Sequence, residues 1–200
     1  MHCLPISKSY RTLLFSLILL LYLSGCSSVP IFSMVRLSQL DPFTMDPNQV
    51  EIAVITHKAL QVKKGDVRMS LGYRAEDDSL VIQDVYLVEV KGPNYLDKDL
   101  ANQLEEDQTL TIMHLSEADA NQLRESQRLI SQHQRSKEKG EGSFGVGVNG
   151  SCVHKSLPED ELLVSIFLKP DARSSFIKVV DKLDLYEQNG AKEIKNWPKC

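Results

Sequence analysis

Apolar and polar side chains alternate along several short segments of this chain, and this alternation constrains the fold more than any other feature. In residues 67–73, four apolar side chains occupy every second position: Val67, Met69, Leu71 and Tyr73. A period of two residues is typical of a half-buried antiparallel strand. Further alternating or continuously apolar segments are predicted as strands at residues 50–56, 80–90, 109–115, 144–148, 162–168 and 176–185. We therefore expect a mainly β chain, built as a two-layer antiparallel β-sandwich of about seven strands.

One helix is predicted, beginning at Ser116 and inserted between the fourth and fifth strands. The Ser116 hydroxyl can accept a hydrogen bond from the amide three residues on, where Asp119 occupies the capping-box position. Lys137 and Lys139 suit the carboxyl end of a helix, and Gly140 is placed to end it. Because the apolar side is narrow, we expect the helix to cover a sheet edge or corner, or alternatively to protrude and meet a partner.

The glycine-rich stretch 140–150 contains two G-x-G-x-x-G matches. A dinucleotide site needs a strand before this motif and a helix after it, so that the helix amino end faces the pyrophosphate. Here the predicted helix comes first, and Phe144, Val146 and Val148 alternate with glycines as a strand. We therefore predict no cofactor at this stretch. Glycines on one face of a strand indicate a close approach by a covering segment, or a sharp bend.

The amino-terminal segment combines two positive charges, Lys8 and Arg11, with an apolar run over residues 13–23. That run is about half the roughly 20 residues needed to cross a hydrocarbon core, and it fits the 7–15 residues of a signal-peptide core. Residues 1–25 are therefore predicted to be a cleaved signal peptide. An uncleaved signal anchor and a buried helix are the alternatives, and both predict a longer segment.

The apolar run ends in the sequence Leu23-Ser24-Gly25-Cys26, which resembles the lipobox of bacterial lipoproteins. The resemblance implies that the thiol of Cys26 is acylated, that the preceding peptide bond is cut, and that the acyl chains hold the protein on a membrane. Several acyl chains make release very slow. In such lipoproteins an Asp after the cysteine favours the inner membrane. Ser27 stands there, so the resemblance implies the outer membrane, with the domain facing the periplasm.

The layout from residues 37–42 (LSQLDP) to residues 145–148 (GVGV) also resembles a family of proteobacterial lipoproteins without assigned function. We expect residues 26–40 to form a lipidated amino terminus and apolar tether, followed by a single β-rich periplasmic domain over residues 41–200. We predict that the tether packs on the domain or lies in the membrane interface. If the tether is helical, one side of it forms an apolar stripe. That stripe consists of Ile31, Met34, Leu37 and Leu40.

Charge argues against nucleic acid as a partner. Removing residues 1–25 takes away Lys8 and Arg11 and no acid, which leaves 21 basic against 27 acidic side chains and a net charge of −6. Such a surface repels phosphate backbones.

Two cysteines remain after Cys3 leaves with the signal peptide and Cys26 takes the lipid. In an oxidising periplasm, Cys152 and Cys200 most simply form a disulfide. Two independent thiols are an alternative. A metal site at Cys152 and His154 is a third, although further ligands at convincing spacing are lacking, so we predict no metal.

A catalytic site is not indicated by the sequence. Ser151 or Ser165 could be combined with His154, but neither serine lies in a G-x-S-x-G turn that would expose it. Asp41 and Asp46 each precede a proline and are predicted to form turns. We therefore expect a non-enzymatic lipoprotein that acts by protein–protein contact in the cell envelope. A module binding a lipid or other apolar ligand is the alternative, and an envelope hydrolase comes third.

Overall fold

The structure, a computed structural model, describes residues 41–92, 95–136, 139–148 and 150–200. The predicted signal peptide, the lipobox with Cys26 and the tether 26–40 lie outside the described residues, as does Lys137. Strands occupy the larger part of the regular structure: β1 (Glu51–His57), β2 (Leu60–Gln61), β3 (Val67–Ala75), β4 (Val81–Val90), β5 (Gln108–Leu115), β6 (Gly140–Val148), β7 (Cys152–Val153), β8 (Leu163–Lys169) and β9 (Ile177–Asp184). The described helices are α1 (Lys98–Ala101), α2 (Glu117–Arg135), α3 (Leu185–Asn189) and α4 (Ala191–Lys195).

Seven strands form one antiparallel sheet in the order β6-β3-β4-β5-β1-β8-β9, and β2 pairs with β7 separately. Each predicted strand segment overlaps one strand of this sheet, so the mainly β prediction is confirmed. The predicted division into two packed layers is not confirmed. The β4–β5 ladder contains only three residue pairs, whereas β1 pairs with β5 along seven residues, and all seven strands belong to one curled sheet.

The main hydrophobic core lies against one face of the curled sheet. Alternate residues of β3 and β4 point into it, including Met69 and Tyr86, which are fully buried. Helix α2 follows β5 and precedes β6, and its residues Leu123 and Ile130 are fully buried in the same core. The helix thus contributes to the core, whereas the sequence predicted only the cover of an edge or corner.

Polar residues of α2 are buried because each has a specific partner. The Ser126 hydroxyl donates a hydrogen bond to Asp84, which also accepts one from the Tyr86 hydroxyl at 3.1 Å. Gln127 Nε2 donates to the carbonyl oxygens of Pro42 and Met45, both at 2.9 Å. Satisfied hydrogen bonds remove most of the cost of burying such groups, so a helix with a narrow apolar side can still pack on the core.

Helix α2 begins as predicted and ends earlier than predicted. The Ser116 hydroxyl accepts a hydrogen bond from the Asp119 amide at 3.1 Å, which is the expected cap. The helix ends at Arg135, where the Ser136 hydroxyl donates to the His133 carbonyl at 2.6 Å. Gly140 does not end the helix. It is the first residue of β6 and pairs with Ala75, because a strand there extends the sheet beyond β3.

Glycine at position 142 allows a close approach between β6 and the chain before β1. A Cβ atom built on Gly142 would lie 2.2 Å from Cζ of Phe43, whose ring packs edge-on against Tyr73 with centroids 6.1 Å apart. The sequence predicted a close approach at this glycine strand, and here the approaching segment is the turn that contains Phe43.

We expect Gly142→Ala to lower the free energy of unfolding by about 1–3 kcal/mol, since the new methyl group would force the Phe43 ring out of its site. Urea denaturation monitored by circular dichroism measures the effect. Gly92→Ala is the matched control, because a Cβ atom there has no neighbour within 4 Å. Equal stabilities of the two variants would contradict this explanation.

Candidate functional site

The disulfide expected from the sequence is present: the Sγ atoms of Cys152 and Cys200 are 2.12 Å apart. Backbone hydrogen bonds hold the same two segments together. The Val153 amide donates to the Pro198 carbonyl at 2.8 Å, and the Cys200 amide donates to the Val153 carbonyl at 3.1 Å. Since β7 also pairs with β2, the last residues are fixed to the body of the domain.

Two short helices precede this fixed tail and were not predicted. The sequence predicted a last strand through Leu185, but β9 ends at Asp184, whose carboxylate caps α3 by accepting a hydrogen bond from the Tyr186 amide at 2.9 Å. Gly190, at φ 81°, separates α3 from α4 in a conformation that favours glycine. Ile194 of α4 is fully buried, so the helix is packed onto the main core.

A cleft of about 760 Å³ lies between these helices, the tail and the segment after β7. Its lining has a basic part and a less polar part. The basic residues are His154, Lys155, Lys195 and Lys199. The less polar residues include Val153, Leu157, Pro158, Tyr186 and Ala191. We call this space the lysine cleft.

Both walls of the lysine cleft are held by hydrogen bonds or by the disulfide. On one side, the Tyr186 hydroxyl donates to the Pro158 carbonyl at 2.7 Å, and the His154 amide donates to the Ala59 carbonyl at 2.7 Å. On the other side, the disulfide fixes the residue next to Lys199. Burial, together with the negative charges of Asp184 and Asp160, raises the pKa of the Tyr186 hydroxyl above its ordinary value, so this donor stays protonated near neutral pH.

The residues of the hydrolase alternative are only partly brought together. Ser156 and Glu159 line the lysine cleft with His154. The two serines considered in the sequence have structural partners: the Ser151 hydroxyl donates to the Gln61 carbonyl at 3.1 Å, and the Ser165 hydroxyl accepts from the Lys182 amide at 2.9 Å. In the described ranges, no three His, Cys, Asp or Glu side chains are grouped as metal ligands.

An exposed apolar stripe lies on the outer face of β4. It consists of Val81, Val85 and Leu87, whose side chains are 44%, 54% and 38% exposed. In the register of β3 and β4, Arg74, Ser70 and Arg68 lie beside these three residues in turn. On β6, the next strand of the sheet beyond β3, the residues in register are small: Gly145 pairs with Ser70 and Gly147 with Arg68. The stripe is thus bordered by the two arginines and by the small residues Ser70, Gly145 and Gly147.

An apolar groove of about 240 Å³ lies where β6 approaches β8 and β9. Phe144 and Val146 line it from β6, Leu168 from β8 and Val179 from β9, with Pro42 and Met45 also in the lining. The strands β6 and β9 are at opposite ends of the strand order, so this groove lies where the curl of the sheet brings its two ends together.

A partly buried ionic cluster lies at the start of β1. The Glu51 carboxylate pairs with Lys91, lies 3.7 Å from Nζ of Lys169, and accepts hydrogen bonds from the Tyr95 hydroxyl at 2.9 and 3.1 Å. Burial by itself would raise the pKa of Glu51. The hydrogen bonds from Lys91 and Tyr95 and the charges of both lysines outweigh burial and hold the pKa below its ordinary value. Two cations around one acid make this cluster a structural tie between β1, β8 and the segment after β4.

Comparison with known proteins finds no match, whether with family models, curated proteins or solved structures. The resemblance of the amino terminus to lipoproteins therefore stays a prediction. Among the described helices, none has the length and apolar content to cross a bilayer.

The sequence identified the cysteines beside the lysine cleft and missed its lysines. Lys155 follows Cys152 by three residues, and Lys199 precedes Cys200 directly. A pairing of the two cysteines brings those two lysines to the same place, and this signal was present in the sequence.

Proposed function

We propose that this chain is a lipoprotein of the bacterial cell envelope, anchored through acyl chains on Cys26, with a β-rich periplasmic domain that acts by contact with another protein and not by catalysis. The outer membrane is the proposed location, because Ser27 and not Asp follows the cysteine. The observation that carries the contact function is the exposed stripe of Val81, Val85 and Leu87 on β4.

The chemistry of the stripe specifies its partner. Covering three partly exposed aliphatic side chains contributes about 1 kcal/mol each. Arg68 and Arg74 border the stripe, and of the two Arg74 already pairs with Asp78 at 2.6 Å. We therefore expect a partner with an apolar centre and acidic residues at its rim. Tethering to the same membrane raises the effective concentration of such a partner, so a modest contact area is sufficient.

We also propose that the two end regions of the curled sheet face each other, as the two layers of a β-sandwich do. Support comes from the groove, which is lined by Phe144 of β6 and by Val179 of β9, from opposite ends of the strand order. In this arrangement the stripe is on the outside of one layer.

One experiment in cells tests both the anchor and the contact. A photo-crosslinking residue replaces Gln83, which lies between Val81 and Val85 on the same exposed face, and the cells are grown with labelled palmitate. We expect label on the protein and a crosslinked product of defined mass. Cys26→Ser should lose the label and release the protein from membranes. Val85→Asp should keep the label and lose the crosslink, because a carboxylate cannot be buried in an apolar contact without cost.

Val85→Ile is the matched control and should retain both label and crosslink. An unlabelled parent protein would contradict the anchor, and a crosslinked product that persists in Val85→Asp would contradict the contact.

Binding of an apolar ligand is the second candidate function, and the groove of about 240 Å³ favours it. This volume lies just below the range of about 300–1,000 Å³ for small-molecule sites, and the lining is mostly apolar. A lipid that co-purifies with the detergent-extracted protein would favour this candidate over the first.

A further inference from the structure

The lysine cleft concentrates positive charge on an acidic chain. The whole chain has a net charge of −4, yet Lys155, Lys195 and Lys199 all line this one cleft. Some other lysines of the described part of the chain are in ion pairs, such as Lys64 with Glu89 and Lys182 with Glu105 at 3.0 Å.

The three cleft lysines form no ion pair with any described residue. Glu159 is the one acid among the described lining residues, and Asp184 and Asp160, whose charges act on the Tyr186 hydroxyl, are outside this lining. The three lysines and one glutamate of the lining sum to a charge of +2. A phosphate monoester, with a charge of about −1.5 to −2 at neutral pH, balances that value, whereas a carboxylate balances only half of it. Lysine ammonium groups bind phosphate as separate point charges, and a tetrahedral phosphate can accept from several of them at once.

The size of the cleft indicates a ligand with an organic body. A volume of about 760 Å³ lies within the range of small-molecule sites and far exceeds one phosphate group. Leu157, Pro158 and Ala191 provide an apolar surface beside the lysines. Because the walls are fixed by the disulfide and by the Tyr186 hydrogen bond to Pro158, binding does not require ordering of the site.

We propose that the lysine cleft is a binding site for a phosphate monoester with a small, partly apolar body, held by Lys155, Lys195 and Lys199. The phosphate can belong to a membrane lipid headgroup or to a soluble phosphorylated molecule, since both present the same dianion. This inference does not depend on the stripe of β4 or on its partner.

Isothermal titration of the full chain, purified in a non-ionic detergent, tests the proposal. The probes are glycerol 3-phosphate as a soluble monoester, dihexanoyl phosphatidic acid as a lipid monoester, and dihexanoyl phosphatidylcholine as a zwitterion. We expect saturable binding of at least one monoester and none of phosphatidylcholine. Tighter binding of phosphatidic acid assigns the lipid source, and equal or tighter binding of glycerol 3-phosphate assigns the soluble one.

Charge-neutral variants locate the site. Lys195→Gln and Lys199→Gln should each weaken binding of the monoester about 5–10-fold and the double variant about 25–100-fold, as expected for loss of charge-assisted hydrogen bonds. Lys98→Gln, on α1 and outside the cleft lining, removes the same charge from another part of the surface and should change binding less than 2-fold. All of these lysines are exposed, so the variants should fold.

Three results would overturn the proposal: no saturable binding of either monoester, equal binding of phosphatidylcholine, or equal effects of Lys195→Gln and Lys98→Gln. None of them bears on palmitate labelling or on crosslinking at β4, so failure here is distinguishable from failure of the proposed function.

Discussion

Replacing both Cys152 and Cys200 with serine should lower the free energy of unfolding by about 4 kcal/mol, the value expected from the chain entropy of a loop of this length. The two cysteines are 48 residues apart in sequence, and their bond closes β8, β9, α3 and α4 into one loop. Urea denaturation of the oxidised protein and of the double variant measures the difference. The backbone bonds between Val153 and the tail remain available, so the variant should keep its fold at low urea.

Reduction of the parent protein is the control for this prediction. A thiol reductant should shift the urea midpoint of the parent to that of the double variant and leave the variant unchanged. If mapping under non-reducing conditions finds free thiols at both Cys152 and Cys200, or if the reductant shifts both proteins equally, the stabilising role of the bond is wrong.

The second large effect is expected at Glu51. Glu51→Gln should lower the free energy of unfolding by about 2–3 kcal/mol, because it leaves two lysines facing each other without a counter-charge. This loss is somewhat smaller than that expected for a fully buried pair. The side chains of Lys91 and Lys169 are 24% and 15% exposed, so water compensates them only in part. Tyr95→Phe removes one neutral donor and leaves both ion pairs, and should cost about 1 kcal/mol.

The effect of Glu51 should depend on pH in a defined direction. Its pKa in the folded protein is below the ordinary value. The stabilisation is therefore fully present above the pKa of the unfolded chain, about 4.3 for a glutamate, and is lost as the pH falls through the folded value. Urea midpoints of the parent and of Glu51→Gln should differ by a constant amount from pH 7 to about pH 5 and converge below pH 4. A difference that persists unchanged at pH 3 would show that the charge of Glu51 is not the cause.

Strands were predictable from the sequence because burial on one face of a sheet leaves its own period. Val67, Met69, Leu71 and Tyr73 are all buried, and the residues between them are exposed or partly exposed. Local chemistry also predicted the start of α2, since the cap at Ser116 involves residues only three positions apart. Both features depend on short-range patterns.

The remaining features depend on contacts between distant residues. The end of α2 was misplaced because Gly140 belongs to a strand whose partner, Ala75, is 65 positions earlier, and nothing near Gly140 indicates that pairing. The pairing of β4 with β5 is limited to three residue pairs, and the hydrophobic period of a strand does not indicate how long its pairing is. The burial of Gln127 requires the carbonyl groups of Pro42 and Met45, and these come from a different part of the chain.

In the candidate site, too, one part was predictable from the sequence and another part depends on contacts between distant residues. Once the predicted signal peptide takes Cys3 and the predicted lipid takes Cys26, two cysteines are left to pair, so the disulfide was predictable. The lysine cleft exists because the tail returns to β7 and α4 packs on the core, and a basic residue such as Lys195 has no sequence signal of that position.

The hydrogen bonds from Gln127 to Pro42 and Met45 have a mechanical consequence under the proposed anchorage. Tension carried along the chain to Pro42 and Met45 would pass through these two bonds into the middle of α2. The Phe43 ring, seated against Gly142, would share the load with β6. Force would thus be spread over the sheet and the helix, and the chain would resist being peeled from its amino-terminal end.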